Sequence, residues 1–333
     1  MSSGQSRFID LHPAPADLVR LVQEGLARRP RQLPAWLLYD AEGSQLFEQI
    51  CQQPEYSLTR TETALLEQQA PAMAQAMERA PAVVIEFGAG NARKVGPLLQ
   101  ALQPSCYAAL DISSEHLRDA CANLQRQHPA VAVLGVCCDY STLAALPADP
   151  LLEHRPRLGF YPGSSLGNFT PAEAQALLRQ MARLLGRDGQ LLIGIDQPKA
   201  MARLEAAYND SAGVSAAFAR NLLVRLNSDL AGDFDPQAFD YQARWQTGDS
   251  RIAMALISRC DQVVNLAGAP WRFAKGEPLI TEYSVKYSPG AFAQLAAAAG
   301  WSLQRSWSDP QGDLSLHLLR QADSAVAPEA HQP

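Results

Sequence analysis

Val83-Val84-Ile85-Glu86-Phe87-Gly88-Ala89-Gly90-Asn91-Ala92 is an apolar, β-branched run that breaks into Gly-x-Gly, and Ala109-Leu110-Asp111 answers it one strand later. Glycine carries no Cβ, so such a loop lets backbone come close to a ligand. An acid at the tip of the next strand, about 20 residues on, is placed to accept both hydroxyls of a ribose. The combination points to a nucleoside cofactor bound at the end of a βαβ unit.

Outward from that stretch, strand-like and helix-like segments alternate from about Pro81 to Gln197. Strands are expected at Val83–Phe87, Cys106–Ile112, Val131–Cys138, Leu158–Pro162 and Gln190–Asp196. Helices are expected at Asn91–Leu102, Ser114–His128 and Pro171–Leu185, the last with proline in its first turn and Gly186 after its end. This alternation predicts an α/β fold with a parallel, doubly wound sheet. A short helix, Phe292–Ala299, then precedes two strands, Ser302–Ser308 and Leu314–Leu319, joined by Asp309-Pro310-Gln311-Gly312-Asp313. A parallel sheet finished by a β-hairpin fits a Rossmann-like class I methyltransferase plan better than a dehydrogenase plan. Outside this core, helix patterns fall at Ala16–Ala27, Gly43–Cys51, Ala200–Asn209 and Val214–Leu230, with β-like stretches at Arg251–Val264 and Leu279–Lys286. The expected division is a methyltransferase core over 61–198 and 286–321, and a discontinuous α+β substrate-binding part over 8–60 and 199–285. A flexible tail is expected from 322 to 333.

With 333 residues, 47% apolar and 19% charged, the chain has globular composition. A net charge of −6 argues against a nucleic-acid partner. The short basic cluster Arg28-Arg29-Pro30-Arg31 reads as a solvated helix end. The polar N-terminus shows no secretory pattern, and no apolar run reaches membrane-spanning length, so a cytoplasmic monomer is expected. The six cysteines lack CxxC or metal-finger spacing, and Cys137-Cys138 read as reduced core residues. The six histidines show no metal-ligand spacing, and no metal is expected.

The glycine loop lacks the third glycine of a dinucleotide fingerprint, since Arg93 and Lys94 follow Asn91-Ala92. Glu86 before the loop and Lys94 after it suit a zwitterionic amino-acid tail better than a pyrophosphate. Asp139-Tyr140, after the third strand, supplies a carboxylate and a ring for an adenine edge and face. Phe160-Tyr161-Pro162-Gly163-Ser164-Ser165-Leu166-Gly167-Asn168 ends the fourth strand in small polar residues; in class I methyltransferases, which this plan resembles, the donor's sulfonium and the acceptor meet at that place. Each piece alone is an ordinary turn. Together, at consecutive strand ends, Glu86, Gly88, Gly90, Lys94, Asp111, Asp139, Tyr140 and Ser164 read as a site for S-adenosyl-L-methionine.

The chain further resembles the histidine-specific Nα-methyltransferase family, the enzymes that make hercynine in ergothioneine biosynthesis. The resemblance lies in Tyr39-Asp40-Ala41-Glu42-Gly43-Ser44-Gln45-Leu46-Phe47-Glu48 running into Pro54-Glu55-Tyr56-Ser57-Leu58-Thr59-Arg60-Thr61-Glu62. It continues in the Glu86–Gly90 loop, Gly163-Ser164-Ser165-Leu166-Gly167-Asn168, Tyr208-Asn209-Asp210-Ser211-Ala212-Gly213-Val214, Phe218-Ala219-Arg220-Asn221 and Thr281-Glu282-Tyr283-Ser284. It implies L-histidine as substrate, its carboxylate held by Tyr56 and Tyr208 and its amine by Asn168. It also implies that Glu282 and Ser284 meet the imidazole, with Tyr39 nearby and Met254 beside the ring. Met254 could equally be core filler, and Tyr56 could staple a loop to the capping-box-like Thr59–Glu62. Glu282 and Ser284 share one face of an alternating strand with Ile280, against Thr281, Tyr283 and Val285.

Transfer from a sulfonium needs a neutral amine lone pair in line with the methyl–sulfur bond. No lysine or histidine occupies the matched positions as a base, so catalysis by orientation is expected, through Asn168, Tyr56 and Tyr208, with the proton leaving to water or a phenolate-assisted path. Three successive transfers would give the trimethylated amine. The competing readings are a relative acting on another aromatic amino acid such as tryptophan, against which Glu282 with Ser284 speaks, and a nicotinamide-dependent oxidoreductase, against which the missing glycine and Asp139-Tyr140 speak. A non-catalytic binding protein on this fold is a third.

Overall fold

The computed structural model describes residues 6–11, 17–77, 80–153 and 155–322; the expected tail beyond 322 lies outside them. In chain order the elements are β1 (Arg7–Asp10), α1 (Leu18–Ala27), β2 (Arg31–Gln32), α2 (Ala41–Gln52), α3 (Leu58–Ala76), β3 (Val83–Phe87), α4 (Gly96–Leu102), β4 (Cys106–Asp111), α5 (Ser114–Gln127), β5 (Ala132–Cys137), β6 (Arg157–Tyr161), α6 (Pro171–Leu185) and β7 (Gln190–Asp196). Then follow α7 (Met201–Ala207), α8 (Val214–Leu230), β8 (Phe239–Gln246), β9 (Arg251–Ser258), β10 (Gln262–Leu266), β11 (Ala269–Phe273), β12 (Pro278–Val285), α9 (Pro289–Ala298), β13 (Trp301–Ser308) and β14 (Leu314–Gln321).

The larger sheet has eight strands in the order β1-β5-β4-β3-β6-β7-β14-β13. Its strands from β1 to β7 are parallel, and β14 runs antiparallel to both β7 and β13, forming the expected hairpin. Both faces are covered, as a parallel sheet requires. Val83, Ile85 and Phe87 pack with α6 and α9 residues such as Leu178 and Phe292, while Val84, Tyr107 and Ala109 pack with α4 and α5 residues such as Leu98 and Leu117. Strand order reverses between β4 and β6 on either side of β3, so a crevice opens beyond the carboxyl end of β3.

A four-stranded sheet, β2-β12-β9-β8, stands apart from the large one, and β10 and β11 form a separate hairpin. Residues near the chain's beginning thus complete a sheet built mainly by 239–285. Arg31 departs from the expected solvated cluster. Arg28 and Arg29 are exposed, but Arg31 is buried, ion-paired to Glu277 at 2.8 Å, bonded to the carbonyls of Leu26 and Arg272, and stacked on Phe273. Another departure is β1, which joins the large sheet beside β5 although residues from 8 onward were expected in the substrate-binding part. α4 starts at Gly96 rather than Asn91, because Gly90 and Ala92 take left-handed backbone and Pro97 is tolerated only in a first turn.

Candidate active site

The loop after β3 begins the site. Gly88 and Gly90 have φ of +69° and +53°, which a side chain disfavours, and a Cβ on Gly88 would lie 3.3 Å from the Tyr140 hydroxyl. Asp111, at the tip of β4, accepts from the Gly90 amide at 3.0 Å and so ties the two strand ends together. Tyr140 stands edge-on to Phe87 and Tyr161, and Asp139 accepts from the Ser141 amide and hydroxyl at 2.9 and 2.6 Å. Gly88 thus stands against Tyr140 and Gly90 against Asp111, while Asp139 closes its own turn beside Tyr140. Glu86 lies beside them, within electrostatic reach of Lys94 and Asp111. It is buried within β3, accepts from the Tyr107 hydroxyl at 2.6 Å, and is pushed up to about 8 by burial.

A second acid, Glu62, lies beside Lys94. It is fully buried, pairs with the Lys94 ammonium at 2.6 Å, and accepts from the Gly163 amide with both oxygens, at 2.8 and 2.9 Å. The capping-box reading of Thr59–Glu62 is therefore wrong: α3 begins at Leu58 after Ser57, and Glu62 points into the core. Space beside Gly90, where a Cβ would meet nothing within 4 Å, lies next to Asp111, and Lys94 with Glu62 presents a cation and an anion beyond it. That donor set suits a ribose at one end and an amino-acid tail at the other, as S-adenosylmethionine requires.

Beyond β6 the chain turns through Gly163 and Ser164, the latter at φ +55°, into a 3₁₀ turn, Ser165–Asn168. Gly167 backs directly onto β12, where a Cβ would come within 2.6 Å of the Val285 carbonyl oxygen. That close approach brings the Asn168 amide to 2.9 Å from Glu282 Oε1. In β12 the register slips between Ile280 and Glu282, so Thr281 is bulged and Glu282 faces Met254 across the ladder. The bulge corrects the simple alternation: Ile280 packs with Ala253, Ala255 and Tyr283, away from Glu282.

Local ties explain the remaining motif residues. Asp40 caps α2 through the Gly43 amide and accepts from Asn221 of α8, fixing the neighbouring Tyr39. Asp210 caps α8 by accepting from the amides of Val214 and Ser215, just after Tyr208. Arg60 donates to the carbonyls of Cys51, Gln53 and Pro54, and Glu55 accepts from Ser211, so the Tyr56 loop is held from both sides. As a result Tyr39, Tyr56, Asn168, Tyr208, Met254, Glu282 and Ser284 all line one cavity, with Phe47, Phe218 and Tyr241. Ser164 lines this cavity too, its hydroxyl accepting from the Asp196 amide at 2.9 Å. Met254 is at once a cavity wall and a packing partner of Leu204, Ala243 and Ile252.

The cavity is walled by buried titratable groups. Burial pushes Glu282 up to about 8, against the pull of Lys286. Burial likewise raises Tyr39 and Tyr56 well above the usual phenol value, and raises Tyr208 although Lys286 opposes it, so all three are hydroxyl donors at neutral pH. Lys286 itself is buried, which works against its charge, yet the Asp196 carboxylate 2.6 Å away holds it above the ordinary lysine value. Its ammonium lies 2.6 Å from Tyr208 Oη and 2.8 Å from Ser284 Oγ. A lysine outside the matched positions therefore reaches this site, as a proton-holding cation rather than a base. Its signal was present in the sequence, two residues past Ser284 on the same strand face.

Comparison with known proteins agrees with this geometry. The family model for histidine-specific, S-adenosylmethionine-dependent methyltransferases matches residues 18–321. The histidine N-alpha-methyltransferase of Mycolicibacterium smegmatis is 35% identical, over 96% of this chain and 99% of that one. That of Mycobacterium tuberculosis is 36% identical, over 90% and 94%. Ergothioneine biosynthesis protein 1 of Neurospora crassa is 31% identical over 87% of this chain, which matches 33% of that longer protein. The chain belongs to the histidine-specific, S-adenosylmethionine-dependent methyltransferase family.

Proposed function

We propose that this enzyme methylates the α-amino group of L-histidine three times, giving hercynine. The observation that carries the reading is the single cavity in which Asn168, at the carboxyl end of β6, meets Glu282, Ser284 and the tyrosines. S-adenosylmethionine supplies a methyl carbon open to in-line displacement by an amine. Tyr56 and Tyr208, whose rings meet edge-to-face at 5.8 Å, would donate to the substrate carboxylate. Asn168 gives its amide hydrogen to Glu282, which leaves its oxygen to accept from the substrate amine and aim the lone pair in the first two transfers; the neutral dimethylamine of the third has no N–H and is held through the carboxylate and imidazole contacts. Because burial keeps the tyrosines protonated, the amine's proton leaves to water rather than to a phenolate.

Glu282 and Ser284 would select the imidazole. A buried carboxyl with no N–H to meet is costly, which discriminates against side chains that cannot donate. In this reading 61–198 with 286–321, joined by β1, hold the donor, while the rest of 8–60 with 199–285 holds the acceptor. The enzyme acts on a free amino acid, as a cytoplasmic monomer without nucleic acid; the net charge of −6 speaks against nucleic acid, and the six unpaired cysteines fit a reducing compartment. Light scattering after size exclusion checks the monomer.

The test is mass spectrometry of the purified protein with S-adenosylmethionine and each of the twenty amino acids in turn. A product from histidine alone, heavier by three CH₂ units, is expected. Methylation of a different amino acid overturns the roles of Glu282 and Ser284, and accumulation of a monomethyl product with excess donor overturns the triple transfer.

A further inference from the structure

We propose that Lys286 is a positioning residue for substrate recognition, which makes the Tyr208 and Ser284 hydroxyls hydrogen-bond donors towards the ligand. The proposal rests on the histidine reading above and adds to it the electronic state of the ring that the site accepts.

Lys286 is 1% exposed and its ammonium meets three oxygens: Tyr208 Oη at 2.6 Å, Ser284 Oγ at 2.8 Å and Asp196 Oδ2 at 2.6 Å. An ammonium has three hydrogens to donate and no lone pair to receive with. All three hydrogens are thus committed, and each hydroxyl surrenders a lone pair to Lys286 while keeping its own hydrogen. Asp196 is held in place by Lys199 at 2.7 Å and by its amide's bond to Ser164 Oγ at 2.9 Å. The cation therefore sits at a fixed point behind the two hydroxyls.

Tyr208 and Ser284 are also 2.9 Å from each other, where one donates and the other accepts. In that state the pair offers one hydrogen to the cavity. A ligand with an acceptor opposite each hydroxyl draws both hydrogens inward, and two facing oxygen lone pairs would then repel. Lys286 fills those lone pairs and keeps the oxygens adjacent. The carboxylate of an amino acid and the bare nitrogen of a neutral imidazole are such acceptors. Glu282, on the same strand face, is left to take the ring's N–H. Positions 282, 284 and 286 thus specify a neutral imidazole with one donor and one acceptor nitrogen, and the charge at 286 disfavours a protonated ring.

The experiment compares wild type, Lys286→Met, Lys286→Arg and the double variant Lys286→Met/Asp196→Asn, which avoids an unpaired buried carboxylate. KM for histidine, kcat and S-adenosylmethionine affinity are measured separately. In Lys286→Met or the double variant, KM for histidine should rise more than tenfold and by more than kcat falls, with donor affinity within threefold; Lys286→Arg should recover part of the loss. A fall in kcat with KM unmoved is what a merely structural role gives, and overturns the proposal. A second measurement needs no variant: nitrogen NMR of ring-labelled histidine bound to the wild-type enzyme should show one protonated and one bare nitrogen. A doubly protonated ring overturns the proposal. If wild type does not methylate histidine, the histidine reading itself falls; if it does and neither readout behaves as stated, only the role of Lys286 falls.

Discussion

Glu282 carries a protonation cost that links folding to pH. An unfolded glutamate ionises near 4.5, whereas folded Glu282 and Glu86 each hold their proton up to about 8. Between those values the folded state binds more protons than the unfolded one, so this contribution to stability falls as pH rises through the window. Asp196 acts oppositely: burial raises it, but Lys286 and Lys199 outweigh that and hold it below its usual value, so its contribution is lost only in acid. The unfolding temperature of the ligand-free protein should decline from pH 5 to pH 8, and Glu282→Gln should flatten part of the slope; an unchanged slope would mean that Glu282 is ionised in the fold. Glu282→Ala should weaken histidine binding by roughly three- to tenfold by calorimetry, given ~0.5–1.5 kcal/mol for a hydrogen bond to the protonated carboxyl. Unaltered affinity would remove Glu282 from the site. Glu282, Ser284, Tyr56 and Tyr208 were legible because whole motifs carried them. Glu62 was misread because its local spacing imitates a cap, while its partner Gly163 lies 101 residues away.

At the scale of elements, strands such as Val83–Phe87 and Gln190–Asp196 and helices such as Pro171–Leu185 coincide with the periodic pattern to the residue. α3 escaped it because its buried face mixes Glu62 with Leu65, Leu66 and Met73, and Pro71 interrupts the run. β8 escaped because only Phe239 and Ala243 in it are buried, which leaves no alternation to see. The bulge at Thr281 was invisible for another reason: a period of two has no mark for one extra residue. The turn Ser165–Asn168 depends on touching β12 through Gly167. Gly167→Ala should force the two apart at an overpacking cost of ~1–3 kcal/mol, loosening the Asn168–Glu282 contact. We expect kcat/KM for histidine to drop at least tenfold with donor binding retained. Full activity would show that the turn and β12 can separate without harm.

For the molecule as a whole, β1 closes one end of the large sheet. It pairs with β5 along Leu134–Cys137, with Arg7 bonded to Asp149 at 2.6 Å and Phe8 lying under the Arg118 guanidinium at 3.6 Å. Deleting residues 1–11 should bare the apolar edge of β5, lowering the unfolding temperature and raising light scattering on storage. A truncated protein as stable and clear as the full chain would show that this strand adds nothing to the sheet. The small sheet has a different dependence on chain connectivity. Arg31 of β2 leaves the ribosome 246 residues before its partner Glu277. At ~5–20 residues per second that is a wait of roughly 12–50 s, with a side chain meant for the interior still in water. The glycine loop and its acid are synthesised far earlier, so the ribose end of the donor site exists as chain well before β12, which carries Glu282 and Ser284 of the acceptor site.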